Sequence, residues 1–495
     1  MPLARAVKAY VSPRGSLRLS LRIGPMCTET QTMEQKSSSY HFNSGLLTEF
    51  KPLTQALDKA WNAFAPIVKP KRGPQAKARV HFDLFILNII EAKGQPIIVS
   101  FDNNDYRHHS RYNPLGLTRA LITMLKKMVE AGLVDRQIGD KAMELRSLVT
   151  PTKLLIDELA IPPLPLGAIR DNSELIVLKN EDDELEEYEE THSTETWREQ
   201  LARYNDALSE THLWIRDAED PSKGELLSGV SSHVRKFNRG SFDCGGRLYS
   251  SRLQTLSKLE RKRLYIDGER TCEPDFQGLH IAIAYAKVGV GDMIGDPYAF
   301  FADATVAEGD RRLTRIDAKM LALVALNARS RKGALISLSN KVPKGLSSAT
   351  RRSLWDAMLA HHSAIAHFFG NDVGIYFQRF DSDIMLLALS ILLDHDIIAI
   401  PVHDSVVVAQ KHEAAAIKAL RQAAEAVLAE AQIRIRLPVN QPDLTYRKMQ
   451  ELQLSGHDFR RDLAQWAEVD LAVSRAIGSS PKHDRTVSGS TTGGS

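Results

Sequence analysis

Cysteine is scarce in this 495-residue chain: Cys27, Cys244 and Cys272 are its three, odd in number and far apart. That excludes a disulfide framework and a Cys-rich zinc site, and fits a reducing, cytoplasmic setting. Long apolar runs are missing as well. The longest, from Ile384 to Leu393, is interrupted by Ser390 and followed by Asp394, His395 and Asp396, too short to cross a bilayer. Net charge is small, +3 from 64 basic and 61 acidic residues, so any nucleic-acid surface must come from local clustering. Acid is absent from the first 28 residues, which hold Arg5, Lys8, Arg14, Arg18 and Arg22. Proline and glycine interrupt any long amphipathic helix there, so the segment reads as a disordered basic tail and not as a transit peptide.

What is present is an ordinary globular composition, 43% hydrophobic and 25% charged, in a chain too long for one core. Residues 1–45 are expected to be a disordered basic tail and 466–495 a helix end followed by a disordered Ser/Thr/Gly tract. Residues 46–170 form a helical module. Within it, Leu115 to Leu133 carries Leu117, Leu121, Leu125 and Val129 at helical spacing, and Gly132 ends the helix. A strand, a turn, a second strand and another helix follow, the pattern of a winged helix, which sets a helix in a DNA groove and a basic wing on the backbone. A generic helical packing module has the same pattern. Residues 171–235 hold an acidic, solvated linker (Glu181 to Glu190) and an amphipathic helix from Thr194 to Thr211, with Trp197, Leu201, Tyr204 and Leu208 on one face. The chemistry lies in residues 236–465.

Three segments carry it. In TCEPDFQGLHIAIAYAKVG, Asp275 ends a β-like approach from Leu264 and precedes a helix of apolar spacing, so its carboxylate stands at a sheet edge. In IIAIPVHDSVVVAQ, two β-forming runs flank His403 and Asp404, a hairpin with an acid at its tip. An unpaired carboxylate in such apolar surroundings calls for a cation or a strong donor beside it. A His-Asp phosphohydrolase would place such a pair on helices, and these flanks are β-formers. In RRLTRIDAKMLALVALNARSRKG, Arg315, Lys319, Leu323 and Asn327 share one helix face, with Arg311 a turn earlier. Arg and Lys on one face suit a triphosphate: a fork to the phosphate oxygens and a point charge. Together the pieces describe phosphoryl transfer, with two carboxylates holding two divalent ions and cations holding the departing pyrophosphate.

In order and spacing these segments resemble the polymerase domain of family A, the DNA polymerase I-like enzymes, which are related to phage-type single-subunit RNA polymerases. Four blocks carry the resemblance, from Gly245 to Ala426: GGRLYSSRLQTL, DFQGLH, the Arg315–Lys319 helix, and Gln378 with Asp383 followed by His403-Asp404. The resemblance implies an α+β right-hand fold, with an antiparallel palm sheet around Asp275 and Asp404. Fingers would centre on Ile316 to Arg329, and a thumb would be built partly from Thr194 to Thr211. It implies Asp275 and Asp404 as catalytic metal ligands for two Mg2+, with Mn2+ an alternative. Arg315, Lys319, His280 and Asn327 would meet the nucleotide, and Arg247, Gln378 and His403 the primed template. The expected activity is DNA polymerisation from dNTPs on a primed template, without a membrane. The settings open to it are replication, repair, a mobile element or defence.

Departures from the family pattern keep two other activities open. His280 replaces the glutamate that helps exclude the ribose 2′-hydroxyl. Leu323 and Asn327 replace aromatic residues, and Ala328 a glycine. Ser405 replaces the acid that often follows the catalytic aspartate, giving the His-Asp-Ser version of phage-type RNA polymerases. An RNA polymerase or primase using NTPs is therefore the first alternative, and a non-catalytic nucleic-acid-binding descendant the second. The blocks are closely spaced, implying trimmed fingers, and the first 230 residues hold no acidic set resembling a proofreading exonuclease.

Overall fold

The computed structural model describes residues 40–69, 75–102, 106, 110–140, 145–218, 220, 223–227, 232–250, 253, 256–290, 295–301, 314–341 and 348–430. The expected tails and Arg311 lie outside the described residues or, for the first tail, almost wholly so.

Two large hydrophobic cores divide the described residues, one drawn from residues 46–169 and one from residues 201–428, with a small cluster of Ile176, Leu178 and Phe237 beside the second. The first is built from β1 (Tyr40–His41), β2 (Leu46–Leu47), α1 (Lys51–Val68), α2 (Gln75–Glu91), β3 (Ile97–Ile98), α3 (Ala120–Glu130), β4 (Val134–Gln137), β5 (Leu148–Pro151), α4 (Lys153–Leu159) and β6 (Arg170–Asp171). Helix α1 inserts Leu53, Leu57, Trp61, Phe64 and Val68, an apolar stripe at helical spacing. The strand order β1-β3-β5-β4 contains an antiparallel β4–β5 hairpin directly after α3. Gly132, at φ +69°, ends α3 as its position in the sequence predicts. The start differs: the helix begins at Ala120, not near Leu115. Asn113 ties itself to both the N–H and the carbonyl of Leu117, and Gly116 sits at φ +61°, so a polar turn holds the chain where apolar spacing alone predicts helix. Strands β2 and β6 pair antiparallel and bring the module's two ends together.

The second core contains β7 (Ile176–Leu178), α5 (His192–Ser209), β8 (Leu213–Arg216), β9 (Gly224–Leu226), β10 (His233–Asn238), β11 (Ser241–Ser250), α6 (Lys258–Arg261), β12 (Leu264–Ile266), β13 (Glu269–Cys272), α7 (Leu279–Lys287), α8 (Arg315–Asn327), α9 (Arg331–Lys341), α10 (Ser348–His361), α11 (Gly374–Leu393), β14 (Ala399–Val402), β15 (Ser405–Ala409) and α12 (Glu413–Glu430). It is an α+β arrangement. A six-stranded antiparallel sheet runs in the order β14-β15-β13-β12-β8-β9, and β11-β10-β7 forms a second sheet. Helix α11 is apolar on most sides, burying Phe377, Ile384, Met385, Ala388, Leu389 and Leu392, which is why it lies centrally.

Two segments differ from expectation. The acidic stretch faces solvent but is not a loose linker, because Arg111 bonds Glu187 and Glu190 and stacks on Tyr188 at 3.6 Å. Arg198 adds bonds to Glu174 and Glu190. The helix expected in a thumb, α5, is part of the second core: the Tyr204 hydroxyl donates to the Ala399 carbonyl at 2.8 Å, joining α5 to β14.

Candidate active site

The β14–β15 hairpin closes through two residues, His403 and Asp404, with Val402 paired to Ser405. His403 adopts φ +56°, a left-handed conformation unusual for a side chain with a Cβ, and lies exposed at the tip. Asp275 forms a β-bridge with Ser405. The Phe276 N–H donates to the Asp404 carbonyl and the Val406 N–H to the Pro274 carbonyl, both at 3.1 Å. The two predicted carboxylates thus sit on backbone segments bonded directly to each other. Ser405 donates to Glu273, at 3.1 Å, or to the Val402 carbonyl, at 2.9 Å, and Arg261 holds Glu273 at 2.9 Å.

Burial first, and the charge of Asp381 second, raise the Asp404 pKa; its own backbone N–H, Lys319 and His280 pull the other way. Neither Asp404 nor Asp275 is ion-paired with a protein cation among the described residues. An excess of negative charge in a desolvated place is what a divalent cation relieves, so the pair fits such an ion. Among the described residues no group of three or more His, Cys, Asp or Glu side chains is arranged to hold a metal.

Arg247 reaches this place because β11 is bulged. Gly245 and Gly246 adopt φ +80° and +78°, and a Cβ on Gly246 would lie 2.8 Å from Ser382 Oγ on α11. That close approach brings Arg247 onto Asp381, whose Oδ2 accepts from Nε at 2.8 Å and Nη2 at 2.5 Å. His280 Nε2 stands 3.5 Å from the same oxygen. Asp381 is completely buried; burial alone would raise its pKa, but the His280 hydrogen bond and the Arg247 charge outweigh it and hold the pKa low. Sequence reasoning missed Asp381. Gln378 lies half-buried one turn earlier on the same helix, and a small recess lies among Arg247, Leu248, Ser382, Met385, Pro401 and His403.

Helix α8 turns Ala318, Leu321, Ala322 and Ala325 inward and leaves Arg315, Lys319 and Asn327 exposed. Arg315 is engaged by Asp296 at 2.5 and 2.9 Å and lies over the Tyr298 ring. Lys319 makes no ion pair among the described residues, and its charge is felt at Asp404. Asn327 donates to the Leu323 carbonyl of its own helix at 2.8 Å and rests against Gly374, where α11 begins. The loop bearing Asp296 is braced by buried His362. Its Nε2 donates to the Pro297 carbonyl at 2.8 Å, and its Nδ1 accepts from the Tyr285 hydroxyl at 3.1 Å. Burial lowers the His362 pKa to about 4, which keeps Nδ1 an acceptor at neutral pH.

No family model matches the chain, and no curated protein does. Among solved structures it is similar to the POL domain of Pol1 from M. smegmatis in complex with DNA primer-template and dNTP. The likeness has 9% identity and a TM-score of 0.30, over 85% of this chain and 69% of that one. No helix among the described residues is long and apolar enough to cross a membrane.

Proposed function

We propose that the chain is a template-dependent nucleotidyltransferase of right-hand architecture, a DNA polymerase of family A type that extends a primer with dNTPs. The observation that carries this is the bonding of the Asp275 segment to the Asp404 hairpin, two carboxylates that form no ion pair among the described residues, with the charge of Lys319 acting on Asp404 from a distance. In this reading Asp275 and Asp404 would hold two Mg2+, or Mn2+, which would supply charge stabilisation for the transfer. Lys319 meets the triphosphate, and Arg315 joins it by exchanging Asp296 for phosphate. Arg247, Gln378 and His403 line the path of the primed template, and His280 and Asn327 lie toward the nucleotide. The test is incorporation of labelled dNTPs and NTPs on a primed template. Extension with dNTPs supports the proposal. Extension with NTPs alone moves it to a phage-type RNA polymerase or primase, the activity that Ser405 and His280 favour. No extension by a folded protein that binds primed DNA leaves a non-catalytic descendant.

Lys319→Ala is expected to lower kcat/KM for the nucleotide roughly tenfold to hundredfold, the worth of one charge-assisted hydrogen bond, without changing primed-template affinity. Arg315→Ala should cost less, because Arg315 must first leave Asp296. Single-turnover insertion at varied dNTP measures both. A loss of template affinity with unchanged nucleotide kinetics would make this face a backbone contact.

In the first module, α3 followed by the β4–β5 hairpin, with β5 between β3 and β4, supports a winged-helix assignment. Arg119 just before α3, Lys126 on it and Arg146 before β5 are exposed. Replacing all three by alanine should flatten the slope of log K against log salt by about 0.9 for each cation that meets a phosphate. An unchanged slope in a salt titration would make the module a packing unit.

A further inference from the structure

Glu273 shares a ladder with the hairpin that carries Asp404. Thr271 pairs with Ala409, Cys272 with Val408 and Asp275 with Ser405, one register that runs unbroken from β13 to the bridge. Residues two apart in such a strand share a face, and each also reaches the diagonal neighbour on the facing strand. Glu273 and Asp275 therefore stand on one face, about 7 Å apart at roughly 3.4 Å per residue. Ser405, opposite Asp275, makes the diagonal contact, its hydroxyl 3.1 Å from Glu273 Oε1. The same carboxylate takes two arms of Arg261 on α6, Nη2 at 2.9 Å and Nε at 3.1 Å, while Nη1 donates to the Leu256 carbonyl at 2.9 Å. A guanidinium thus lies beside Asp275 and pairs with its neighbour. Two other arginines of the site are held in the same way, Arg247 by Asp381 and Arg315 by Asp296. Each cation has an acid of its own, and Asp275 and Asp404 have no such partner among the described residues.

We propose that Glu273 is a positioning residue that holds Arg261 aside: by taking two arms of that guanidinium it keeps Arg261 from neutralising Asp275 and Asp404, the carboxylates that a divalent ion needs free. This rests on the polymerase reading for the identity of the pair. An arginine is charged at every working pH and matches a carboxylate with two parallel hydrogen bonds, so a released Arg261 would compete directly with a metal for the nearest acid. Both oxygens of Glu273 already accept from Arg261, so Glu273 acts through the arginine and not as a ligand.

The test uses the full chain with Glu273→Gln, Arg261→Met and the two combined. The probe is Mn2+ alone, its free fraction read by electron paramagnetic resonance, with Asp404→Asn giving the background from other sites. Glu273→Gln keeps the volume and an acceptor for Ser405 but removes the charge that holds the guanidinium. Mn2+ affinity should then fall about tenfold, because the ion must first displace a charge-assisted hydrogen bond. Adding Arg261→Met should restore the wild-type value, and Arg261→Met by itself should bind Mn2+ at least as tightly as the wild type. A packing role predicts instead that the two losses add. A ligand role for Glu273 predicts that the double variant stays as weak as Glu273→Gln. Either result overturns the proposal. A crystal structure of Glu273→Gln grown without metal gives the second measurement. Arg261 should lie within about 4 Å of the Asp275 or Asp404 carboxylate, and a guanidinium left in its wild-type place overturns the proposal. Where Glu273→Gln does not fold, Arg261→Met decides, since weaker Mn2+ binding by that variant also overturns it. A wild type whose Mn2+ binding Asp404→Asn leaves unchanged removes the metal pair and the proposal with it. Incorporation of dNTPs is measured in parallel. If Mn2+ binding follows the expected pattern and the wild type inserts no nucleotide, the polymerase reading fails by itself. If the wild type inserts nucleotides and the double variant is not restored, the role of Glu273 fails by itself.

Discussion

Asp404→Asn is expected to abolish nucleotide incorporation and, in the absence of metal, to raise the melting temperature. Both effects have one origin. Burial and the neighbouring Asp381 charge hold the folded-state pKa of Asp404 above its ordinary value of 3.8. An acid with a raised folded pKa binds its proton more tightly when folded, so its ionised form costs stability. The cost is absent below the ordinary value and grows as pH rises toward the folded pKa, above which it is complete. At neutral pH the wild type bears it and the asparagine variant does not. The same charge is what a divalent ion would be held by. Transition-state charge stabilisation by a metal is worth several kcal/mol, so its loss should cost about a thousandfold in rate at roughly 1.4 kcal/mol per decade. Asp275→Asn should lose as much activity, and the double variant no more than either single one, because each disables the same pair. Melting curves at pH 7 in EDTA and then in Mg2+ give the second readout. The ion should raise the melting temperature of the wild type and not that of Asp404→Asn. A variant that melts lower than the wild type, or responds to Mg2+ equally, would mean that protein groups already satisfy Asp404.

The sequence makes the parts of this site legible where local pattern decides the geometry. Two β-forming runs around His403-Asp404 can hardly be anything but a hairpin, and the stripe Arg315, Lys319, Asn327 lies on the exposed side of α8 as helical periodicity requires. Where the geometry comes from tertiary approach, pattern is silent. Asp381 and Asp383 stand two residues apart in the middle of the apolar helix α11, and composition cannot tell which one faces the site. The signal was the helix itself, because acids beside so apolar a run must be buried and therefore need partners. Asp296 is hidden for a similar reason: it meets Arg315 from a loop without periodicity. The acidic stretch carries the composition of a solvated linker, and nothing local reveals that Arg111, in the other core's module, is its anchor. The early end of the apolar pattern near Leu115 failed because one asparagine, Asn113, bonding the Leu117 backbone outweighs a few tenths of a kcal/mol of helix propensity per residue.

Asp383→Ala is expected to destabilise the second core by about 3–5 kcal/mol, the cost of stranding a buried charge. Arg235 is completely buried, bonded to Asp383 at 2.5 Å, to Ser382 Oγ and to the Gly246 carbonyl. Arg379 pairs with the same carboxylate, and both guanidinium groups lie over the Trp197 and Phe237 rings. Burial lowers both arginine pKa values to about 9, and the Arg235 charge adds to the effect at Arg379. Both cations thus cost stability below about pH 9 and are tolerated because one carboxylate and two aromatic faces offset them. Removing Asp383 leaves two like charges beside each other, one of them, Arg235, wholly buried. Urea denaturation of Asp383→Ala measures the loss, and Asp383→Leu combined with Arg235→Met should recover most of it, since an apolar replacement of the whole pair is often neutral. The effect reaches function because the same helix presents Asp381 and Gln378, and the same Arg235 ties β10 to the Gly246 bulge that aims Arg247. Primed-DNA affinity of Asp383→Ala should therefore fall below the melting range as well as within it, and return with the apolar pair. A variant that is destabilised yet binds primed DNA normally while folded would show that the bulge holds Arg247 without this cluster, and that the cluster serves the core alone.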